Sequence, residues 1–376
     1  MATNMKGKKL WLSFLLAFVL IGLFEYQQLF AQENTERHQI LIATNVNSHS
    51  VLCLGNIFYD QTALVTDKFL EENNLKKGST TIIDDKEVIK AIWNNITTEK
   101  SNALTFGGSG ANVAKFLAAL GNKCALYGKY GKGDREEITA FLSEVGITSF
   151  LTEGENSTGQ VACLVTYDAE RTMLTLLGSS TEFGDEEVKE SMFPDFELVH
   201  LEGYGVLSGD TLEKSIAFAK KYNAKVSIDL ANFSLVTSFK NKFQKCIALV
   251  DIVFGNAEEM HALTGIKSPK EAIESSFFAS NQIVVVTEGS KGCWVKGSGE
   301  VEAVHYDALP VPRVIDSTGA GDCFSSGFLD ALLKGKKIPQ CVETGNLVAS
   351  YVIQVLGTDL SAAKRKELAL NVEKIK

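Results

Sequence analysis

From residue 185 onward the chain alternates between strand-length apolar runs and stretches of helical spacing, and this alternation restricts the fold more than any other feature. The apolar runs fall at 198–201, 225–229 and 252–254, and helical patterns are expected at 185–192, 210–222 and 235–249. Such alternation is the pattern of a parallel sheet with helices on both faces. The run VLCLG at 51–55, closed by a glycine, fits a buried first strand of the same sheet. With 376 residues, 45% of them hydrophobic, the chain can bury a full core, and no period of 20 to 50 residues repeats. One α/β domain is expected from about residue 49 to 376, preceded by an extension at 1–48.

The stretch VIDSTGAGDCFSSGFLDALL, residues 314–333, carries the most specific chemistry. Two β-branched residues run into Asp316, Ser317 and Thr318, then into Gly319, Ala320, Gly321 and Asp322, and an apolar helical pattern follows at Phe324, Phe328, Leu329, Leu332 and Leu333. A glycine-rich turn that opens a helix lets backbone N–H groups converge on an anion, with the positive end of the helix dipole behind them. A carboxylate at Asp322 would stand beside the phosphate such a turn holds. It makes chemical sense there as a base that takes a proton from a hydroxyl attacking phosphorus. Read alone, Asp322 equally fits the acidic preference of a helix's first turn.

Other polar residues fall where an open α/β sheet binds ligands, beyond strand C-termini. Asn56 and Asp60 follow the first strand, a placement that also suits a turn Asn and a surface Asp. The segment GGSGANVAKFLAALG at 107–121 is a glycine turn entering a helix, and Asn112 in its first turn can donate to and accept from a hydroxyl. Residues 158–180 read as a hairpin turning at 167–170, with Arg171 beside the turn, where an arginine is ordinarily solvated. Asn256 and Glu259 have capping-box spacing. The glycines of 287–292, TEGSKG, follow a fully apolar strand at 283–287, and a further helix is expected at 343–355.

Taken in order, these strings resemble the motifs of the PfkB-type carbohydrate kinases, the ribokinase-like family that includes adenosine kinases, over about residues 50–360. The resemblance implies a doubly wound, mainly parallel sheet and a small β-sheet lid, drawn from about 57–106 and 158–178. It makes Asp322 the catalytic base and the backbone of Gly319, Ala320 and Gly321 the anion hole. Arg171 would swing onto the transferring phosphate as the lid closes. Substrate hydroxyls would meet Asn56, Asp60, Gly107, Gly108 and Asn112. ATP would meet Asn256, Thr287, Gly289, Gly292 and Thr318, with Asn346 at the adenine, and Glu259 would order the water shell of Mg2+. A monovalent cation such as K+ stays open.

Two departures from the family pattern matter. Ser109 stands where ribokinase-type sequences carry lysine, which points away from ribose and toward nucleoside kinases. Gly133 occupies the usual Asp position of a GxxGxD turn, with Asp134 one place later. The hairpin and the string GNIFYD look most like bacterial adenosine-kinase-like members. The expected activity is therefore ATP-dependent phosphorylation of a hydroxymethyl group, with adenosine the first substrate and ribose, another sugar or a sugar phosphate the alternative. A non-catalytic nucleoside or sugar binder of the same fold is the rival from another class.

Composition bounds the partners. The net charge is −9, with no long basic run outside the extreme N-terminus, which argues against nucleic acid. The 7 cysteines are scattered without a CxxC pair and read as reduced, buried thiols. Residues 10–24, LWLSFLLAFVLIGLF, follow Lys6, Lys8 and Lys9 and are uncharged, resembling a signal peptide or short anchor with a cleavage point near Ala31. The run is shorter than the roughly 20 residues that span a bilayer. An export signal, a membrane tether and a start codon assigned too far upstream all remain open. A kinase needs ATP and reducing conditions, so a cytoplasmic catalytic domain is expected, as monomer or homodimer, with membrane contact only through 10–24.

Overall fold

The computed structural model describes residues 49–96 and 104–375. The apolar run at 10–24 and the rest of the 1–48 extension lie outside the described residues. The strands in chain order are β1 (Ser50–Leu54), β2 (Phe58–Val65), β3 (Thr80–Ile83), β4 (Thr105–Gly107), β5 (Lys123–Tyr127), β6 (Lys129–Tyr130), β7 (Ile147–Ser149), β8 (Thr152–Glu153), β9 (Gly159–Thr166), β10 (Arg171–Leu176), β11 (Leu198–Glu202), β12 (Lys225–Asp229), β13 (Ile252–Asn256), β14 (Ile283–Thr287), β15 (Cys293–Lys296) and β16 (Val304–Tyr306).

Nine of them form one sheet in the order β16-β15-β14-β13-β12-β11-β1-β5-β7. All neighbours from β14 to β7 pair in parallel, and only β15 and β16 run antiparallel at one edge. The chain leaves β1 toward β5 and β7 on one side and returns through β11 on the other. β1 is thus the switch point, where a crevice opens beyond the strand C-termini. Parallel strands need cover on both faces. Val51, Cys53, Cys124, Leu126, Ile252 and Phe254 join one core with Ala111, Phe324 and Phe328 of the overlying helices, while Leu52, Leu54 and Val253 of opposite parity are equally buried. The Phe254 and Phe328 rings meet edge to face at 5.5 Å. Burial of each contributes roughly 2–3 kcal/mol.

A second, five-stranded sheet has the order β3-β10-β9-β2-β4 and its own small core of Ala63, Val65, Leu70, Ile89, Ile92, Leu164 and Leu174. It comes from the two segments expected to make the lid. The β9–β10 hairpin turns at 167–170, where Ala169 takes φ 66°.

Three expected elements differ. Residues 185–192 form two short 3-10 turns, Asp185–Glu187 and Glu190–Met192, because three acidic side chains crowd 185–187 and few apolar residues are available to bury a longer face. The helix expected at 235–249 is two helices, Phe233–Ser238 and Lys240–Ile247, parted at Phe239. The first starts early because Asn232 caps it, accepting from the N–H of Ser234 and Leu235. The helix expected at 343–355 is Ile338–Val352, five residues ahead of its expected start, with Pro339 in its first turn. All seven cysteines are free and buried, and among the described residues no helix is long and apolar enough to cross a membrane.

Candidate active site

Gly319 takes φ 71° and caps the helix Ala320–Leu333. A β-carbon there would be strained by that angle and would lie 2.7 Å from the Thr358 methyl group. The turn before it is braced by the buried Asp316, whose Oδ1 accepts from the Thr318 N–H and Oδ2 from the Gly357 N–H, both at 2.8 Å. Ala320 donates back to Ser317 O at 3.2 Å. The Ala320 N–H is therefore taken up within the turn, while the N–H groups of Gly321 and Asp322 stand among the first donors of the helix.

Asp322 is the third residue of this helix and half-buried. Its two oxygens are held separately: Ser109 Oγ donates to Oδ1 and Asn112 Nδ2 to Oδ2, each at 2.9 Å. Both donors come from the start of the helix Ser109–Ala119, whose first turn faces the signature turn. Asn112 is oriented in turn by Thr358, which donates to Asn112 Oδ1 at 3.2 Å. Behind Thr358 stands a buried lysine: Lys115 Nζ donates to Phe106 O at 2.9 Å, Thr358 Oγ1 at 3.3 Å and Asp359 Oδ1 at 2.7 Å. Burial raises the Asp322 pKa, while the bonds from Asn112 and Ser109 and the positive charge of Arg171 oppose the rise. The carboxylate is thus held in place, ionisable and more basic than a surface aspartate, as a base acting near neutral pH requires.

Asp60 lies within β2, not in a turn after β1, and pairs across to Thr105 of β4. This register brings its carboxylate against Gly107, where any β-carbon would overlap it. Asp60 Oδ1 is buried and has no hydrogen bond. Burial, opposed by Lys115 and reinforced by Asp359 and Asp322, pushes its pKa up to about 7. A buried acceptor without a protein donor, beside the Gly107–Gly108 turn and close enough to Asp322 to feel its charge, suits a substrate hydroxyl.

The remaining candidates divide. Asn56 ties two loops together: its Nδ2 donates to Ser180 O at 3.2 Å and its Oδ1 accepts from Lys129 N–H at 2.9 Å, which uses one of its two N–H donors. Asn256 and Glu259 form the capping box: Asn256 Oδ1 accepts from Glu258 and Glu259 N–H, and Glu259 Oε2 accepts from Asn256 N–H at 2.8 Å. Glu259 is buried, and its pKa is raised by that burial. Thr287 ends β14, and Gly289 and Gly292 shape the antiparallel turn into β15. Thr318 Oγ1 lies 3.1 Å from Cys163 Sγ of the smaller sheet. Asn346 lines a cleft of about 590 Å3 with Tyr306, Pro310, Val342 and Lys374, and donates to Asp307 O at 3.0 Å. Arg171 begins β10 and is exposed, yet its charge reaches both Asp322 and Glu259.

Three residues at this site escaped the sequence reading, His200, Glu202 and Asp229, and Ser109 entered it only as a departure from the family pattern, not as a site residue. Glu202 ends β11 and Asp229 ends β12 as its register partner, next to β13 with Asn256. Burial raises the pKa of Glu202 to about 8, and Asp322 and Glu259 add to the rise. Asp229 is raised by burial first and then by the charges of Glu202, Glu259 and Asp322. His200 is fully buried and its pKa falls to about 4, so it is neutral. The available signal was an acidic residue at the C-terminal end of each strand, at LVHLE and KVSID. Among the described residues no group of three or more His, Cys, Asp or Glu side chains could hold a metal ion by itself.

Residues 72–365 match the family model described as pfkB family carbohydrate kinase. The adenosine kinase of Schizophyllum commune is 28% identical over 338 residues, 83% of this chain and 97% of that protein. The ribokinase of Haemophilus influenzae is 28% identical over 282 residues, 72% of this chain and 88% of that protein. Among solved structures, the adenosine kinase from Sinorhizobium meliloti superposes with a TM-score of 0.76 at 27% identity, covering 88% of this chain and 100% of that one. With that match running from the smaller sheet through the signature helix, the chain belongs to the pfkB family of carbohydrate kinases.

Proposed function

We propose that this kinase transfers the γ-phosphoryl group of ATP to a hydroxymethyl group of a nucleoside, with adenosine as the first substrate. The observation that carries the reading is Asp322, held on both oxygens by Ser109 and Asn112 at a helix N-terminus, with the buried, unbonded Oδ1 of Asp60 close by. In this reading Asp60, Asn112 and the Gly107–Gly108 turn take the ribose hydroxyls, and Asp322 accepts the proton of the attacking hydroxyl. Gly321 and Asp322 N–H groups and Arg171 meet the negative charge that develops on the transferred group, which a magnesium ion ordered by Glu259 would help neutralise. Magnesium commonly binds through one or two carboxylates and the substrate phosphates, which fits Glu259 better than an all-protein cage would. Bound with ATP, it supplies charge neutralisation at the phosphates. Thr287, Gly289, Gly292, Thr318, Asn256 and Asn346 are assigned to the nucleotide.

Residues 49–376 act as one kinase domain in the cytoplasm, with the smaller sheet as a lid that excludes water. The adenosine kinases of Schizophyllum commune and Sinorhizobium meliloti support the substrate. The Haemophilus influenzae ribokinase keeps a sugar as the second reading. ADP release with adenosine, other nucleosides, ribose and fructose phosphates tests both. Turnover fastest with adenosine is expected, and turnover confined to sugars would overturn the nucleoside assignment.

A further inference from the structure

Asp134 stands one place beyond the position expected of a GxxGxD turn, and no step of the phosphoryl transfer uses it. It opens the helix Arg135–Glu144, whose Ile138 and Leu142 are buried in the core of the larger sheet. Contacts from this fixed helix reach the base of the smaller sheet. Tyr59 of β2 donates its hydroxyl to Glu137 Oε2 at 2.8 Å. The Tyr59 ring meets Phe106 of β4 at 5.0 Å, and Phe106 meets Phe141 of the helix at 4.7 Å. Asp134 Oδ2 accepts from the hydroxyl of Thr158, the residue before β9, and Thr158 Oγ1 accepts in turn from the Gly131 N–H at 2.7 Å. Thr158 is fully buried and Tyr59 only 9% exposed, so both donors are shielded from water and depend on these partners.

Strand parity shows what this joint carries. Tyr59, Ala63 and Val65 share one face of β2, yet Tyr59 belongs to the core of the larger sheet and Ala63 and Val65 to the small core. The strand leaves one core for the other just after Tyr59. The next residue is Asp60, on the opposite face, with its carboxylate against Gly107. We propose that Tyr59, Glu137 and Asp134 are positioning residues that hold the Asp60 carboxylate over the Gly107–Gly108 turn from the side of the larger sheet. The inference rests on Asp60 as a ligand of the acceptor hydroxyls and adds what fixes it there. Arg171 lies farther from the joint: it pairs with Val165, which pairs with Leu64 of β2. The grip on Tyr59 and Thr158 therefore sets where the acceptor sits, while the far end of the smaller sheet sets where Arg171 sits.

The test reads kcat, the KM of acceptor and of ATP, and the melting temperature of the full chain, with adenosine as acceptor, or ribose if that turns over faster. Tyr59→Phe keeps the ring contacts and removes the bond to Glu137. Its acceptor KM should rise about threefold to tenfold, the range one hydrogen bond supplies, with kcat and the ATP KM within about twofold. Glu137→Ala and Asp134→Ala should act in the same direction, and Glu137→Gln, which keeps an acceptor oxygen, should stay near wild type. Tyr59→Phe combined with Glu137→Ala should be no worse than either alone, because both remove one bond. A merely structural role would lower the melting temperature and leave the acceptor KM unmoved. Asp60→Asn separates the two readings. If its acceptor KM rises at least about tenfold while Tyr59→Phe and Glu137→Ala stay under about twofold, the grip alone is overturned. If Asp60→Asn also leaves that KM unchanged, the placing of the acceptor at Asp60 falls, and the grip with it. A wild-type chain that releases no ADP with either acceptor overturns the kinase reading and the grip together.

Discussion

Lys115 offers the sharpest structural test, because one buried cation joins three parts of the site. Its side chain is 7% exposed and its ammonium serves Phe106 O, Thr358 Oγ1 and the Asp359 carboxylate, which is 32% exposed. Lys115→Met keeps the aliphatic volume and removes the charge. Breaking a buried ion pair by deleting one partner costs about 3–5 kcal/mol. Asp359 is partly solvated and can rehydrate, which places the expectation near the lower end, at about 3 kcal/mol, most of it from the two stranded neutral acceptors and from Asp60. Asp359→Asn leaves the buried ammonium without its counter-charge and should cost about 3 kcal/mol as well, even though the amide can still accept from Lys115. Urea unfolding at pH 7.5 measures both. Because Lys115 also opposes the rise in the Asp60 pKa, the pH at which substrate KM improves should move upward in Lys115→Met. A loss below about 1 kcal/mol together with an unmoved KM profile would refute the claim that this lysine holds Thr358 and Asp60.

Two further outcomes follow from the Asp60 pocket. Gly107→Ala puts a methyl group onto the Asp60 carboxylate. Steady-state kinetics should show substrate KM raised at least about tenfold, and urea unfolding a stability loss of about 1–3 kcal/mol. Asp60 and Glu202 have folded pKa values of about 7 and about 8, raised mainly by burial. Carboxylates raised in this way stabilise the fold below their unfolded pKa near 4 and lose that contribution as pH climbs through 7 to 8. The melting temperature of the ligand-free protein should therefore fall between pH 5 and 8.5, and Asp60→Asn should flatten the fall. The displacement of Asp60 from 3.8 to about 7 is equivalent to at most ~4 kcal/mol.

The sequence revealed those parts of the fold that rest on local patterns. Strand parity, the Asn256–Glu259 capping box and the 158–180 hairpin are set within a few residues, and each took its expected form. Elements whose ends depend on neighbours shifted, as at Phe233, where the cap supplied by Asn232 moved a helix start. At the site, Asp322 and Asn112 were legible because glycine turns announce them. The contact between them spans 210 residues of sequence, and no pattern in either segment encodes it. Glu202 and Asp229 were hidden for a related reason. A lone acidic residue ending an apolar strand looks like solvent-facing punctuation until parallel pairing puts two of them side by side. The bonds of Asn56 were hidden in the same way, since its amide meets the backbone of Lys129 and Ser180, which lie far along the chain.

The central claim is that Asp322 takes a proton from an alcohol as it attacks the terminal phosphate. Asp322→Asn keeps the shape of the side chain and can still meet Asn112 and Ser109, but it cannot act as the base. ADP release at saturating ATP and the best acceptor should fall by about 10²–10⁴, while calorimetry shows the acceptor still binding within a fewfold of wild type. Turnover unchanged from wild type in this variant would contradict the account.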